Sequence, residues 1–353
     1  MSAIQPGLPS DFVQQMNNLL GAEAQDFFDS LGDSPAVSVS QHVTKSKKWQ
    51  ENTEGVKWNK RGVYLSERPV FTLDPAFHAG AYYVQESSSM IISHVYQQLN
   101  PENHPRRILD LCAAPGGKSV LLANEMSEGS LLVCNEVIRS RYAVLRYNLD
   151  KWGLGGVVTT SQDSEDFTAF EDWFDLVLVD APCSGEGMFR KDPEAVAEWS
   201  TRHVAHCAAR QQRILTAAAA LVKPGGHLIY STCTYNTIEN DDNARWLLAQ
   251  GGWELKPLIF DADWNIADRN PGYQLYPHRL RGEGLYVCAF TKTTEGKENT
   301  SKMTISSGKL TLPPKKLQGV TDRWLQYPDQ QCIRIDPAGR WRSIPAALMA
   351  NIE

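Results

Sequence analysis

Two cysteines stand where apolar runs give way to small and polar residues, the placement a reacting thiol needs. Cys183 lies in FDLVLVDAPCSGEGMFRKDPE (174–194), three positions after Asp180 and just beyond a run apolar enough to be a central strand. Cys233 lies in STCTYNTIEND (231–241), straight after HLIY, on a turn expected to feed a helix whose N-terminal dipole would favour a thiolate. Either alone has a plain reading, with Cys183 as a packing residue, Asp180 as a turn former and Cys233 as a buried, inert thiol. Two thiols at the ends of two strands of one sheet point instead to covalent, nucleophilic chemistry.

A third stretch, DLCAAPGGK (110–118), joins a strand to a helix. Its small residues let the backbone approach a ligand, and the helix start offers free N–H groups to an anion. The spacing is neither GxGxxG nor that of a Walker loop, so a nucleoside carrying a single carboxylate is expected rather than a dinucleotide or a triphosphate. Glu136 closes the next strand, 24 positions after Cys112, where a carboxylate can accept both hydroxyls of a ribose. Asp163 closes the third strand, within reach of an adenine amino group. A Gly-rich turn by itself could be a tight connection; two acids at successive strand ends favour a nucleoside pocket.

The elements that must position these residues are legible from periodicity. RILDL, LLVCNE, GVVTT, FDLVLVD and HLIYST read as strands, and KSVLLANEM, SRYAVLRYNLDKW and the Ala-rich stretch 207–222 as helices. Strands separated by crossover helices predict a doubly wound, Rossmann-like α/β sheet, parallel and covered on both faces, with ligands beyond the strands' carboxyl ends. Ahead of it, 8–31 reads as two short helices with Ser10 as N-cap and Gly21 and Gly32 as stops, and VYLSERPVFTL as strands. The expected organisation is a small α+β N-terminal domain over 1–84, the α/β domain over 85–292, a polar linker over 293–308 and a short C-terminal segment over 309–353.

Composition excludes several classes. The 353 residues are 42% apolar and 22% charged, close to a soluble globular average, and no apolar run is long enough to span a membrane. The start, MSAIQPGLPSDF, has no signal-peptide character. Seven cysteines without a CxxC pair argue against a disulfide framework and a zinc site, so a cytoplasmic protein is expected. His203 and His206, three apart on a helix, lack a third ligand, and no metal is expected. With 35 basic against 41 acidic side chains, net −6, a polyanion must be met by a local patch. Lys47, Lys48, Lys57 and Lys60, interleaved with Trp49 and Trp58, read either as a solvated rim or as a phosphate and base platform.

Together, DLCAAPGGK, the Asn135–Glu136 pair, DAPCSGEGMFRKDP and STCTYN resemble the motifs of the Sun-domain RNA cytosine methyltransferases of the RsmB and RsmF type, over roughly 79–290 and including AGAYYVQESSSM. GEGMFRKDP leans toward the RsmF side. The resemblance implies transfer of a methyl group from S-adenosylmethionine to carbon 5 of a cytosine in RNA, with small-subunit ribosomal RNA or the subunit as partner. It implies that Cys112, Ala113, Ala114, Pro115, Gly116, Gly117, Lys118, Glu136, Asp163 and Asp180 bind or border the cofactor, and that Cys233 is the nucleophile.

The residues suit that reaction. Asp180 and Lys118 are candidates to stabilise charge growing on the ring, Cys183 or a water it positions to assist proton loss and elimination. The base must leave its stack to be reached. Arg190 and Lys191, close behind Cys183, are placed to hold the RNA backbone, and Met188 and Phe189 either to wedge beside the base or to pack. RsmF-type proteins carry a further RNA-binding domain after the methyltransferase; 309–353 resembles only its opening, as in a shortened form or a lineage that trimmed the module. A monomer is expected. Transfer RNA as substrate, a non-catalytic RNA-binding protein and a DNA cytosine methyltransferase using the Pro182–Cys183 thiol are the alternatives; retention of both Cys233 and Glu136 weighs against the second, and the extra thiol at 233 against the third.

Overall fold

The computed structural model describes residues 7–45, 53–293, 311–325, 329, 331–335, 339 and 341–345. Two helices lead, α1 (Ser10–Leu20) and α2 (Ala24–Leu31), followed by β1 (Val37–Gln41), β2 (Gly62–Leu65), the one-turn α3 (Pro75–His78) and β3 (Tyr82–Val84). The three strands pair antiparallel in the order β2-β1-β3. After α4 (Ile91–Leu99) come β4 (Arg107–Asp110), α5 (Gly117–Glu125), β5 (Leu131–Asn135), α6 (Arg139–Trp152), β6 (Val157–Thr160) and β7 (Phe174–Asp180). Next are α7 (Pro193–Glu198), α8 (Thr201–Leu221), β8 (Val222–Thr232), α9 (Asp241–Ala249), β9 (Trp253–Leu255), β10 (Ala267–Asp268), β11 (Tyr273–Leu275) and β12 (Leu285–Lys292). α10 (Lys315–Thr321) and a hairpin of β13 (Gln331–Ile335) and β14 (Trp341–Pro345) complete the described elements.

The main sheet has the order β10-β11-β12-β8-β7-β4-β5-β6, with β9 also beside β12. β8, β7, β4, β5 and β6 run parallel. Alternation along these strands splits the core in two. Ile108, Leu176, Leu178 and Ile229 face α4 and α5, while Leu109, Val177, Val179 and Leu228 face α8 through Ile214, Leu215 and Ala218.

The expectation of an all-parallel sheet is corrected at one edge. β12 runs antiparallel to β8, and β11, β10 and β9 extend that edge antiparallel. No crossover helix separates β11 from β12, and a short connection can return only an antiparallel strand. In the N-terminal part, the strand in VYLSERPVFTL ends at Leu65, and Phe71–Leu73 is a 3-10 turn. Ser10 lies inside α1, whose cap position is Pro9; Gly21 ends α1 with φ +54°, whereas Gly32 ends α2 with an ordinary φ of −81°. The expected linker lies outside the described residues beyond Thr293.

The N-terminal helices pack on the cysteine-bearing loops. Phe12, Met16 and Phe27 form one cluster with Phe189, Trp199, Tyr235 and Tyr276, and Phe12 meets Phe189 edge-on at 4.8 Å. Trp58 and Tyr64 belong to the larger core beneath the sheet.

Candidate active site

β7 and β8 are parallel neighbours with Asp180 opposite Ser231, so the loops leaving them rise from the same edge of the sheet. There the Sγ atoms of Cys183 and Cys233 lie 3.2 Å apart, both as free thiols. The hydrogen bond with Cys233, together with burial, pushes Cys183 far up, which keeps it protonated. Lys118 Nζ is 2.9 Å from Asp180 Oδ2, and Ser231 Oγ donates to Asp180 Oδ1 at 2.8 Å. Burial works against the Lys118 charge, but Asp180 outweighs it and holds the ammonium above its ordinary range, with Cys233 contributing in the same direction. The helix that the Cys233 turn is expected to feed starts only at Asp241, eight residues on. The local positive charge on this thiol is therefore Lys118, not a helix dipole.

Two carboxylates that sequence reasoning did not single out hold the loops. Glu186, fully buried, accepts hydrogen bonds from the N–H groups of Tyr235 (2.7 Å) and Asn236 (3.0 Å), from Trp199 Nε1 (3.1 Å) and from Gln15 Nε2 (3.0 Å). Glu239, also fully buried, accepts from Ser184 N (2.9 Å), Gln211 Nε2 (2.7 Å), Asn236 Nδ2 (2.8 Å) and Ser184 Oγ. Each ties the Cys183 loop to the Cys233 loop. Gly187 closes the joint: its N–H donates to Cys233 O at 2.8 Å, and a Cβ there would lie 2.7 Å from the same oxygen.

The loop between β4 and α5 lies beside this pair. Gly116 takes φ +111° ahead of the helix that begins at Gly117. Ala113 N–H donates to Asn135 O (2.8 Å), Arg141 Nη2 to Ala114 O (2.8 Å) and Asn148 Nδ2 to Pro115 O (2.8 Å), which ties the loop to the end of β5 and to α6. Burial pushes the Cys112 thiol up, so it behaves as an apolar lining group. Glu136 is 3% exposed, accepts from Ile138 N–H at 2.8 Å and lies 3.4 Å from Arg141. Asp163 lies three residues past β6; the Glu165 N–H and Arg213, at 3.1 Å each, hold its carboxyl below the usual range.

Asp110 is fully buried, and burial raises its carboxyl to about 7 although Ser119 Oγ donates to it at 2.6 Å; its Oδ1 has no partner. A carboxyl raised in the fold binds more protons there than in the unfolded chain, so its charge weakens stability as pH rises from about 4 to 7. Asp110→Asn is expected to gain on wild type across that window, by a few kcal/mol at pH 8 against little at pH 4. Urea unfolding at the two pH values checks this; a pH-independent difference between the proteins would remove Asp110 as the titrating group.

The basic residues are less available than the sequence suggests. Arg190 is buried against Glu283 at 2.7 Å and also donates to Ser30 O and Gly282 O, so it braces the fold and is not free to hold RNA. Lys191 shares Glu283 at 3.2 Å with a part-exposed side chain. Lys57 pairs with Asp263 at 2.9 Å, Lys60 is exposed, and Lys47, Lys48 and Trp49 lie outside the described residues. Trp58 cannot be a base platform, being 5% exposed with its Nε1 donating to Ser87 O. Phe189 packs in the core while Met188 is exposed. Among the described residues there is no group of three metal-ligating side chains and no helix long and apolar enough to cross a membrane.

A largely parallel α/β sheet with a Gly-rich loop after its first core strand, an acid at the end of the second and a thiol pair beyond two more defines a Rossmann-like domain with a two-cysteine centre. Residues 96–291 match the family model of 16S rRNA methyltransferase RsmB/F, and 8–87 match that of the N-terminal domain of 16S rRNA methyltransferase RsmF. The ribosomal RNA small subunit methyltransferase F of Erwinia tasmaniensis is 34% identical over 80% of this chain and 63% of that protein; that of Cronobacter sakazakii is 37% identical over 81% and 63%. A methyltransferase homolog protein from Pyrococcus horikoshii has a crystal structure that matches with a TM-score of 0.69 at 27% identity, covering 81% of this chain and 96% of that one. The chain belongs to the RsmB/F methyltransferase family. It spans about 63% of the length of these curated relatives.

Proposed function

We propose that this protein methylates carbon 5 of a cytosine in small-subunit ribosomal RNA, using S-adenosylmethionine and a covalent Cys233 adduct. The observation that carries the reading is the pair of thiols 3.2 Å apart beside the Lys118–Asp180 ion pair. The cofactor fits the residues present. Glu136 keeps acceptor capacity for ribose hydroxyls, since each carboxylate oxygen has two lone pairs and the fold uses few of them. The start of α5 and Lys118 complement a carboxylate, and Asp163 suits an adenine amino group.

Carbon 5 of cytosine is too weak a nucleophile to react unaided. The Cys233 thiolate adds to carbon 6, and the electron pair of the 5,6 double bond moves toward carbon 5 and the ring nitrogen. Lys118, held by Asp180, balances that charge. S-adenosylmethionine, when bound, supplies an electrophilic methyl group. The carbon 5 proton then leaves to a water that Cys183 positions, its electron pair re-forms the double bond, and the Cys233 sulfur departs from carbon 6. Burial and the hydrogen bond with Cys233 keep Cys183 a thiol, in keeping with an assistant's role. Transfer of labelled methyl to 16S rRNA, but not to transfer RNA or to DNA of the same sequence, tests the reading; label on DNA alone would overturn it.

Glu136→Ala is expected to weaken cofactor binding, because charge-assisted hydrogen bonds to the ribose are worth about 1.5–3 kcal/mol each. Calorimetry with S-adenosylmethionine measures this, and an unchanged affinity would take Glu136 out of the pocket.

A further inference from the structure

Gln85 immediately follows β3 and is 7% exposed, yet its amide makes no hydrogen bond among the described residues. Its Oε1 is buried without a hydrogen-bond partner, while its backbone is fixed to β1 through Ser38, by the Gln85 N–H to Ser38 O (3.1 Å) and by Ser38 Oγ to Gln85 O (2.5 Å). Its Nε2 lies 3.4 Å from where a side chain on Gly117 would start, so the amide stands against the first turn of α5. An unsatisfied buried amide is a cost that a ligand can recover.

Gln85 lines a cavity of about 600 Å³ that also takes in Arg68, Val84 and Lys191. A second cavity, of about 620 Å³, shares Arg68 and Val84 and continues to Tyr83 and Lys151. The two meet at Arg68 and Val84, so together they make a trough past the end of β3. One end is the loop behind Cys183, since Lys191 pairs with Glu283, whose carbonyl accepts from the Tyr235 hydroxyl two residues beyond Cys233. Positive charge is in excess there. Arg68 is exposed and has no carboxylate partner among the described residues, Lys151 lies 3.9 Å over the Phe77 ring, and Glu283 serves both Arg190 and Lys191. The carboxylate of Glu86, also on the trough, is taken up by the N–H groups of Ser88, Ser89 and Glu283.

We propose that this trough carries the RNA strand beside the target, with the Gln85 amide hydrogen-bonding the edge of a flanking base and Arg68, Lys151 and Lys191 meeting its phosphates. This rests on the RNA-methylation reading above. An amide offers one donor and one acceptor, the complement of an unstacked base edge, and a basic channel with an aromatic floor suits a single strand. Asp180 and Lys118 already engage each other beside the thiols, and Gln85 stands against Gly117, outside that pair, where it meets a neighbouring nucleotide rather than the target.

The test uses the full chain, in vitro transcribed 16S rRNA and S-adenosylhomocysteine as cofactor probe. Gln85→Leu is expected to raise the RNA KM roughly tenfold with cofactor affinity unchanged. Arg68→Gln/Lys151→Gln, at exposed and half-exposed sites, is expected to flatten the salt dependence of RNA binding by roughly 1.4, at about 0.7 for each phosphate that is no longer neutralised. An unchanged KM and an unchanged slope would overturn the proposal, and so would weakened S-adenosylhomocysteine binding by Gln85→Leu, which would assign the amide to the cofactor. Failure of wild type to methylate any RNA would defeat the functional reading instead, and the salt titration would still decide whether the trough binds a strand.

Discussion

Cys183→Ala is expected to leave the protein bonded to RNA through denaturing electrophoresis, and Cys233→Ala to leave no such band. If Cys233 adds to carbon 6, its loss removes both the adduct and the methyl transfer, lowering the rate by roughly a thousandfold or more. Loss of Cys183 still permits addition and transfer but stalls departure of the sulfur, so product RNA accumulates on the enzyme. The geometry makes the two variants comparable, since the sulfurs are 3.2 Å apart and either could reach a base held beside them. What separates them is their surroundings. Cys183 is held as a thiol, chiefly by its hydrogen bond to Cys233, whereas Cys233 lies in the field of the Lys118 ammonium. The opposite gel pattern would transfer the attacking role to Cys183 and leave the reaction class standing.

The parts of this site that sequence makes legible are those where one residue type has one use. Apolar runs of two to four residues followed closely by Asp, Cys or Glu mark strand ends, and β4, β5, β7 and β8 all lie where those runs are. The antiparallel edge is not legible in the same way. β9, β10 and β11 are two or three residues long, too short to show a period, and only pairing with β12 makes them strands. β1 escapes a sequence reading because its V-S alternation carries little apolar signal, though its inner Val39 is fully buried.

Charge misleads where burial decides. Arg190 reads as a phosphate ligand because it is basic and near a reactive loop, but Glu283, distant in sequence, claims it. Trp58 reads as a stacking platform among lysines, and its burial against Trp264 is a tertiary fact. Glu186 and Glu239 sit within the two cysteine motifs, yet nothing local distinguishes a buried acceptor from a solvated acid. Their donors come from Gln15, Trp199, Gln211 and Asn236, which only the fold assembles. The same holds for Gln85, whose signal is the absence of a partner.

The second large effect concerns Glu239. Its carboxylate joins Ser184, next to Cys183, to Asn236, three residues after Cys233, and anchors both to Gln211 on α8. Glu239→Ala takes an acceptor from four buried donors and leaves the Ser184 N–H without one; with about 1–3 kcal/mol for each bond lost, less what relaxation, water and the remaining acceptors recover, a net loss of roughly 3–5 kcal/mol is expected. For a protein of this size that lowers the melting temperature by about 6–15 °C. Activity should fall further than stability explains, because the Cys183 loop is released from the Cys233 loop and the 3.2 Å approach of the sulfurs is no longer enforced. Glu239→Gln keeps the shape but turns a donor toward the Gln211 or Asn236 amide, so it should lie between wild type and alanine in both melting temperature and kcat. The Cys183→Ala background offers the sharper readout, since adduct yield reports addition at carbon 6 alone. Adding Glu239→Gln there should reduce the trapped RNA while leaving S-adenosylhomocysteine affinity intact. If the melting temperature and the adduct yield both stay at the wild-type level, the loops hold themselves, and the carboxylate is a passenger in a network whose other members suffice.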